Sequence, residues 1–265
     1  MKLPMLPIRY VPSKDTLTIL NYKEWICSYS GGKDSTSLVT YVEWLRRVGM
    51  VRTKQPRLVL SDTGVEYPFL QELSRELMQR LRECGWECSE VRPRLQDKLY
   101  NSIFGRGLPP VHPGYRKMRW CTNCTKIRPM EQFSKDVKDV VMLTGMRWGE
   151  SGVRDEKLAA TGCAAGGECG IPLPGEGKYS PLITWKTCQV IEWLQDNAGA
   201  EGIEDLLQIT CKLLDVYQVR VDASGFVPSS RVASLRFGCI GCPAISTDKV
   251  MESGIAEHPK WKALR

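Results

Sequence analysis

Residues 28–38 read SYSGGKDSTSL, and they stand where a short apolar run passes into a helical pattern. The preceding run, KEWICSYS (23–30), has the aromatic and β-branched residues that are typical of a strand. Leu38, Val42 and Leu45 then recur at the spacing of one helix face. The stretch therefore predicts a strand, a glycine turn and a helix.

The same unit recurs along the chain. PRLVLSDTG (56–64) is an apolar run that ends in a polar turn, and YPFLQELSRELMQRLRECG (67–85) has leucines at helical spacing before a glycine. WECSEVRP (86–93) and KDVVMLTGMR (138–147) are predicted to be further strands, the second of them buried. Because strands alternate with helices, we expect an α/β fold with an open parallel sheet and helices on both faces.

Two stretches rich in glycine and proline, 104–118 and 161–180, are predicted to be irregular loops. Loops of this length in a compact domain often act as lids or binding loops. Two later amphipathic stretches, 180–197 and 203–218, are predicted to be helices. We expect a nucleotide-binding domain over residues 1–195 and a helical C-terminal part over residues 196–265 that closes over the sheet edge and completes a cysteine site.

Composition limits the kinds of protein that this chain can be. A chain of 265 residues with 42% hydrophobic content can bury a large core. It has no apolar stretch of the roughly 18–20 residues that a membrane span requires, and its first residues do not form a signal core, so we expect a cytoplasmic protein without a membrane partner. The formal charge of +7 fits a polyanionic partner or a phosphorylated small molecule, although a solvated basic surface is the alternative.

The glycine turn has the features of a phosphate site. Two adjacent glycines let the backbone approach phosphate oxygens, and a helix that begins near Ser35 would direct its positive end at an anion. The spacing does not match the Walker motif or a dinucleotide fingerprint. A plain glycine turn capped by Asp34 is the alternative reading. The residues predicted to bind nucleotide here are Ser30, Gly31, Gly32, Lys33, Asp34 and Ser35.

The motif Ser-Gly-Gly-x-Asp-Ser resembles the PP-loop of the ATP pyrophosphatase and adenine nucleotide alpha hydrolase-like superfamily. Further segments are similar, in content and order, to phosphoadenosine phosphosulfate reductases and their relatives. These segments are SDTGVEYP (61–68), RWCTNCTKIRP (119–129), LTGMRWGESGVRDE (143–156), SPLITWKTCQVIEWL (180–194) and GCIGCP (238–243). The resemblance implies that the protein binds ATP and Mg²⁺ and cleaves ATP between its α and β phosphates. It also implies nucleotide contacts by Asp62, Thr63, Gly64 and Gly145.

Four charged residues are candidates for catalysis: Lys33, Asp34, Arg147 and Arg154. A guanidinium offers a fork of donors and stays charged, so the two arginines suit phosphate recognition and the stabilisation of transferred charge. Surface arginines paired with Glu150 or Asp155 are the alternative. Asp62, just past a strand end, would orient a ribose, an amine or a magnesium ion, or would only form a common Asp-Gly turn.

The chain has eleven cysteines, which in an intracellular protein indicate metal, cluster or thiol chemistry. Two Cys-x-x-Cys pairs, Cys121 with Cys124 and Cys239 with Cys242, supply the four thiolates of a zinc ion or a 4Fe-4S cluster. The resemblance favours the cluster over zinc, although the adjacent cysteine pair of the assimilatory reductases is absent, and four unligated thiols are the remaining alternative. Cys163 and Cys169 are candidate persulfide carriers or redox thiols. The others are predicted to be small core residues, namely Cys27, Cys84, Cys88, Cys188 and Cys211.

The resemblance implies sulfur chemistry, most like that of DNA phosphorothioation proteins. ATP would activate a backbone phosphate of DNA, and sulfur would arrive from a cysteine desulfurase within a modification complex. The basic loop Arg106–Arg119 is predicted to contact the DNA through Arg106, Arg116, Lys117 and Arg119. One alternative is a sulfonucleotide reductase, which the ending EHPKWKALR disfavours because it lacks the family's terminal cysteine motif. Further alternatives are tRNA thiolation and a noncatalytic subunit.

Overall fold

The structure is a computed structural model, and it describes residues 10–53, 55–109, 120–137, 140–149, 155–156, 177–217, 239–240, 242, 255 and 259–264. The strands are β1 (Glu24–Tyr29), β2 (Arg57–Ser61), β3 (Glu87–Val91), β4 (Val140–Leu143) and β5 (Lys178–Tyr179). The helices are α1 (Lys14–Tyr22), α2 (Lys33–Arg47), α3 (Pro68–Glu83), α4 (Trp120–Thr122), α5 (Arg128–Asp136), α6 (Thr187–Asp196) and α7 (Glu204–Val216). Two π-helical turns, Asn101–Gly105 and Asn123–Ile127, and 3₁₀ turns at Leu95–Asp97, Asn197–Gly199 and Pro259–Leu264 complete the described elements.

The five strands form one parallel sheet in the order β3-β2-β1-β4-β5. The chain runs outward from β1 through β2 to β3 and then crosses back to β4 on the other side of β1. With right-handed connections, α2 and α3 cover one face and α5 the other. The predicted α/β fold with an open parallel sheet is therefore confirmed. The order reverses between β1 and β4, and a ligand of such a sheet binds beyond the strand ends at this point.

Helix α2 lies at the centre of the core. Leu38, Val42 and Leu45 are fully buried, as their helical spacing predicts. The other faces of α2 are buried as well, because α6 and α7 pack on it from the side away from the sheet. A helix covered from two sides needs apolar or small residues around most of its surface, and STSLVTYVEWL (35–45) provides them.

Aromatic side chains join the C-terminal helices to α2. Tyr41 packs edge-on against Trp185 and Trp193 with ring centroids 5.0 and 5.4 Å apart, and Trp193 also donates its indole N–H to Thr40 at 2.9 Å. Residues on both sides of position 195 thus share one hydrophobic core. Helices α6 and α7 pack against α2 and α3, whereas β5 is the element that extends the sheet edge. The boundary between residues 195 and 196 stays a prediction.

Three local predictions need correction. Helix α2 begins at Lys33, because Gly32 has extended backbone angles and serves as its N-cap, whereas the sequence placed the start near Ser35. Strand β5 lies inside the stretch predicted to be irregular; two residues are too few for a periodic signal, and β5 exists because it pairs with β4. Helix α6 begins only at Thr187, after a turn.

Candidate nucleotide site

The glycine turn follows β1 at the point where the strand order reverses. Gly31 has a φ of +72°, and a Cβ atom there would lie 2.6 Å from the Ser74 hydroxyl oxygen of α3. Both the backbone angle and the contact with α3 require glycine. Gly32 then opens α2 as its N-cap and has no side chain that could cap the helix. The Lys33 N–H donates to the Tyr217 hydroxyl at 3.4 Å, and the other N–H groups of the first turn are the ones that could serve as an anion cradle.

Two serines close the turn from within. The backbone N–H of Ser30 donates to the Ser35 hydroxyl oxygen at 3.2 Å, and the two hydroxyl oxygens are 3.1 Å apart. Ser35 also donates to the carbonyl oxygen of Gly32 at 3.0 Å. These bonds fix the path of the backbone across the two glycines, so both serines hold the turn in shape.

Asp34 lies between two cations. Its carboxylate accepts from Lys33 Nζ at 3.1 Å and from Arg147 Nε at 2.6 Å. Arg147 is only 2% exposed, and its Nη1 also donates to the carbonyl oxygen of Trp185 at 3.2 Å. The Arg147 guanidinium thus connects the glycine turn to the segment before α6. Its role in stabilising the charge of a transferred phosphoryl group stays a prediction. The contacts that the structure shows are those of a positioning residue.

Gly145, in the turn after β4, lies against the start of α2. A Cβ atom there would be 2.8 Å from the carbonyl oxygen of Asp34 and 3.0 Å from the backbone nitrogen of Ser35. Distances this short to backbone atoms exclude any larger residue unless α2 moves. Glycine at this position lets the turn after β4 approach the first turn of α2 and complete the sheet edge around the site.

Asp62 holds the turn after β2. Its Oδ1 accepts from the Gly64 amide at 2.8 Å and from Gln71 at 3.3 Å, and its Oδ2 accepts from Arg92 at 3.1 Å. Burial works to raise the pKa of Asp62, but hydrogen bonds with Glu90 and the Gly64 amide and the charge of Arg92 outweigh it, so the pKa lies below its usual value. Thr63 is buried beside it.

A small, partly open cleft lies between the glycine turn, the turn after β2 and α3. Leu60 and Leu70 give it apolar walls, and Ser30, Gln71 and Glu90 place polar atoms at its edge. Apolar walls with a few convergent polar groups are the usual design of a small-molecule site.

The carboxylates at these turns do not fit a magnesium site of their own. Asp34 is paired with Lys33 and Arg147, and Asp62 is held by its own turn and by Arg92. Mg²⁺ prefers carboxylate oxygens that are free to complete an octahedron. We therefore assign no magnesium ligand among the residues that the structure describes.

The cysteine pairs lie near the turn after β2. Cys121 is in α4 and Cys124 is buried in the π-helical turn that follows it. The Cys239–Cys242 turn is closed by the Cys242 N–H to Cys239 carbonyl bond at 3.1 Å. Ile240, inside that turn, donates its N–H to the carbonyl oxygen of Val65 at 2.8 Å. This hydrogen bond attaches the second cysteine pair to the turn after β2.

The thiol of Cys239 is in electrostatic range of its expected partners. Burial raises its pKa, the Lys126 ammonium opposes that rise, and Glu66, Cys242 and Cys121 add to it. Four thiols are the right donors for a cluster. Yet no group of three or more potential ligands converges among the residues that the structure describes. The donor chemistry fits a metal centre but the arrangement does not complete one, so we assign no reaction step to it.

The remaining predicted residues are placed as follows. Six of them lie outside the described residues, namely Arg116, Lys117, Arg119, Arg154, Cys163 and Cys169. Arg106 is exposed and pairs with Asp97 at 3.3 Å. The prediction that all of the other five cysteines are core residues is wrong for Cys188, which is exposed because it lies on the outward side of α6. Cys27 is fully buried, and Cys84, Cys88 and Cys211 are partly buried.

Sequence reasoning missed several neighbours of the site. Glu66 accepts hydrogen bonds from the Thr63 amide at 3.1 and 3.2 Å, and Arg92 pairs with Asp62. Both belong to segments that the sequence singled out, so their charges were a usable signal. Ser74 below Gly31, and Tyr217, whose hydroxyl accepts from the Lys33 N–H at 3.4 Å, had no such signal. Only packing brings them to the loop.

A model of the phosphoadenosine phosphosulfate reductase domain matches residues 24–200. The chain belongs to this family. The matched range contains the glycine turn, the turns after β2 and β4 and the first cysteine pair, whereas Cys239 and Cys242 lie beyond it.

Two solved structures show weak likeness to this member of the reductase-domain family. The phosphoadenylyl-sulfate reductase from Candida auris, a phosphate complex, is 15% identical with a TM-score of 0.44, and the match covers 74% of this chain and 93% of that chain. The U34-tRNA thiolase from Methanococcus maripaludis, with its [4Fe-4S] cluster, is 15% identical with a TM-score of 0.43, and the match covers 97% of this chain and 73% of that chain. No curated protein sequence matches the chain. No helix in the described ranges is long and apolar enough to cross a membrane.

Proposed function

We propose that this protein is an ATP pyrophosphatase that acts in sulfur insertion into nucleic acid, with the DNA backbone as the acceptor. The observation that carries the proposal is the Gly31–Gly32 turn, which opens α2 beside Lys33 at the reversal of strand order in a reductase-domain fold. The residues around that turn match the Ser-Gly-Gly-x-Asp-Ser motif of enzymes that cleave ATP between its α and β phosphates.

The proposed reaction has three steps. A phosphate oxygen of DNA attacks the α-phosphorus of ATP, the bond from that phosphorus to the bridging oxygen breaks, and pyrophosphate leaves. A persulfide sulfur from a cysteine desulfurase then attacks the adenylated DNA phosphorus, and AMP leaves with the former DNA oxygen. A thiol reductant cleaves the resulting sulfur–sulfur bond, which leaves a phosphorothioate on DNA and a disulfide between the reductant and the carrier cysteine.

The residues of this chain supply binding and electrostatics for the first step. Amides of the first turn of α2 would hold the β and γ phosphates, and Lys33 would offset the charge that grows on pyrophosphate. Asp34 keeps the Lys33 ammonium beside the loop, and Arg147 keeps Asp34 in place. Mg²⁺ would enter on the ATP phosphates rather than on a protein carboxylate.

We further propose that Cys121, Cys124, Cys239 and Cys242 hold a 4Fe-4S cluster, with zinc as the alternative. Support comes from the two Cys-x-x-Cys spacings and from the attachment of the second pair to the turn after β2, through the Ile240 N–H and the Val65 carbonyl oxygen. Protein purified without oxygen should contain about four irons and four sulfides per chain. A Cys124→Ser variant should lose them, whereas Cys211→Ser should keep them. Stoichiometric zinc in place of iron would contradict the cluster.

A sulfonucleotide reductase is the second candidate, and membership in the reductase-domain family favours it. Such an enzyme would use the same cleft and glycine turn for its nucleotide but would reduce a sulfur–oxygen bond and leave ATP intact. The two candidates therefore differ in which nucleotide turns over.

The test is an anaerobic turnover assay with α-labelled ATP or with a sulfonucleotide, in the presence of magnesium, persulfide-loaded desulfurase and DNA. We expect AMP and pyrophosphate from ATP, and we expect Lys33→Met to abolish their release because it keeps the length of the side chain but removes its charge. Lys135→Ala, which removes an exposed lysine of α5, should retain activity. Turnover of the sulfonucleotide with ATP untouched would identify the reductase instead.

A further inference from the structure

Two aromatic rings stack on each other at the surface, away from the core. Tyr100 is 50% exposed and Phe104 is 82% exposed, and their rings lie nearly parallel, at 10°, with centroids 6.2 Å apart. Leaving a phenylalanine ring in water forgoes the favourable burial that such side chains normally gain. An exposed pair of this kind needs an explanation beyond stability.

The backbone under the rings is held firmly. Leu99 is buried, and the buried Ser102 donates its hydroxyl to the carbonyl oxygen of Gln96 at 3.3 Å. Asn101 donates to the carbonyl oxygen of Leu95 at 2.7 Å. Tyr100 and Phe104 are four residues apart, at the start of the π-helical turn and within it, so they project from the same outward side. The local structure presents the two rings to solvent instead of leaving them on a loose loop.

Basic residues flank the two rings in the sequence. Residues 94–109 and 120–130 contain five basic residues and one acidic residue, Asp97. Two of the five, Arg106 and Arg128, share that Asp97 at 3.3 and 4.0 Å, which brings the two segments together. We call the following set the aromatic-basic surface: Tyr100, Phe104, Arg94, Lys98, Arg106, Lys126 and Arg128, all of them exposed.

We propose that the aromatic-basic surface binds an unpaired stretch of DNA, with bases stacked on Tyr100 and Phe104 and phosphates held by the arginines and lysines. Every base has a flat π face, and a groove that combines aromatic rings with positive charge is how proteins hold single strands without reading their sequence. The choice of DNA rests on the proposed function. Stacking and charge are the features on the surface itself.

The surface continues toward the candidate site. Lys126 stands in the same π-helical turn as the buried Cys124. Cys239 begins the turn that is bonded through Ile240 to the β2 turn at the cleft. As part of the proposal, we place the rest of the strand along the first cysteine pair toward the turn after β2.

The test is fluorescence anisotropy with a labelled DNA strand of about 20 nucleotides in mixed sequence, a duplex of the same sequence, and an abasic strand of equal length. We expect Phe104→Ala and Tyr100→Ala each to weaken binding of the normal strand roughly tenfold. Tyr22→Ala is the matched control, because Tyr22 is also 82% exposed but lies on α1. The abasic strand should bind equally to wild type and to both ring variants.

The salt dependence of DNA binding separates the contribution of base stacking from that of phosphate contacts. The slope of log affinity against log salt should be unchanged by Phe104→Ala. Lys98→Ala removes one phosphate contact and should reduce the magnitude of that slope by roughly 0.7, the value per contact for a single strand. Equal binding of the normal strand by wild type and the Tyr100→Ala/Phe104→Ala double variant would overturn the proposal, as would ring-dependent binding that is confined to RNA. Neither readout requires ATP, so a failure here is distinguishable from a failure of the proposed ATP chemistry.

Discussion

Gly145 is the residue whose size the structure restricts most sharply. We predict that Gly145→Ala destabilises the protein by about 1–3 kcal/mol, because its Cβ would meet backbone atoms of Asp34 and Ser35 at 2.8–3.0 Å. It should also abolish the binding of ATP, since the displaced atoms belong to the first turn of α2. Urea unfolding and calorimetric titration measure the two effects. Gly105→Ala, where a Cβ meets nothing within 4 Å, is the control and should leave ATP binding unchanged.

Two arginine–aspartate pairs at the site differ in exposure, and this difference predicts their contributions to stability. Arg147→Met should lower the free energy of unfolding by about 3 kcal/mol, because loss of the buried guanidinium leaves Asp34 paired with Lys33 alone. Arg92→Met should cost less than about 1 kcal/mol, since Arg92 is 57% exposed. Urea unfolding of both variants provides the comparison. Equal losses would mean that Arg147 does not act as a buried anchor of the turn.

Cys88 gives a pH-dependent prediction. Burial is the main cause that raises its pKa from 9.0 to about 11. The folded state thus favours the neutral thiol, and this contribution to stability is complete below pH 9 and lost as the pH rises toward 11. The difference in unfolding free energy between wild type and Cys88→Ala should shrink across that interval. A difference that stays constant from pH 8 to pH 11 would contradict the assigned pKa.

At the scale of elements, sequence reasoning succeeded where a pattern was long. The spacing of Leu38, Val42 and Leu45 was enough to predict α2. Aromatic and β-branched residues predicted β1, apolar runs predicted β2 and β4, and the stretch 86–93 was correctly predicted to contain β3. It failed for β5, whose two residues are a strand only because β4 pairs with them. The short helix α1 was also missed, since its polar residues dilute the apolar ones.

Helix α7 links stability to the candidate site. Its apolar side packs on α2 and α3, and Tyr217, just after its end, contacts the backbone of Lys33. We predict that Leu206→Ala costs about 2–5 kcal/mol, because Leu206 is fully buried, and that it also reduces the thermal stabilisation by ATP. Gln208→Ala, on the exposed side of α7, should change neither quantity. A destabilised Leu206→Ala variant that binds ATP normally would show that α7 does not support the loop.

At the scale of the whole molecule, the sheet order explains which site residues were predictable. Residues 30–35, 62–64 and 145 all follow the ends of parallel strands, and these ends meet at one edge. The motifs could therefore be assigned to one site before any coordinates. Contacts from other layers could not, because Ser74, Tyr217 and Tyr100 carry no motif and acquire their positions from packing alone.

The central claim is that ATP is cleaved at its α-phosphorus to activate DNA, and pyrophosphate exchange tests it most directly. Labelled pyrophosphate, unlabelled ATP, magnesium and DNA would be mixed with the protein, without a sulfur donor and without oxygen. Because adenylation of DNA is reversible under these conditions, we predict that label enters ATP, that it requires DNA, and that Lys33→Met abolishes it while Lys135→Ala does not. Absence of exchange in protein that binds both ATP and DNA would contradict the account.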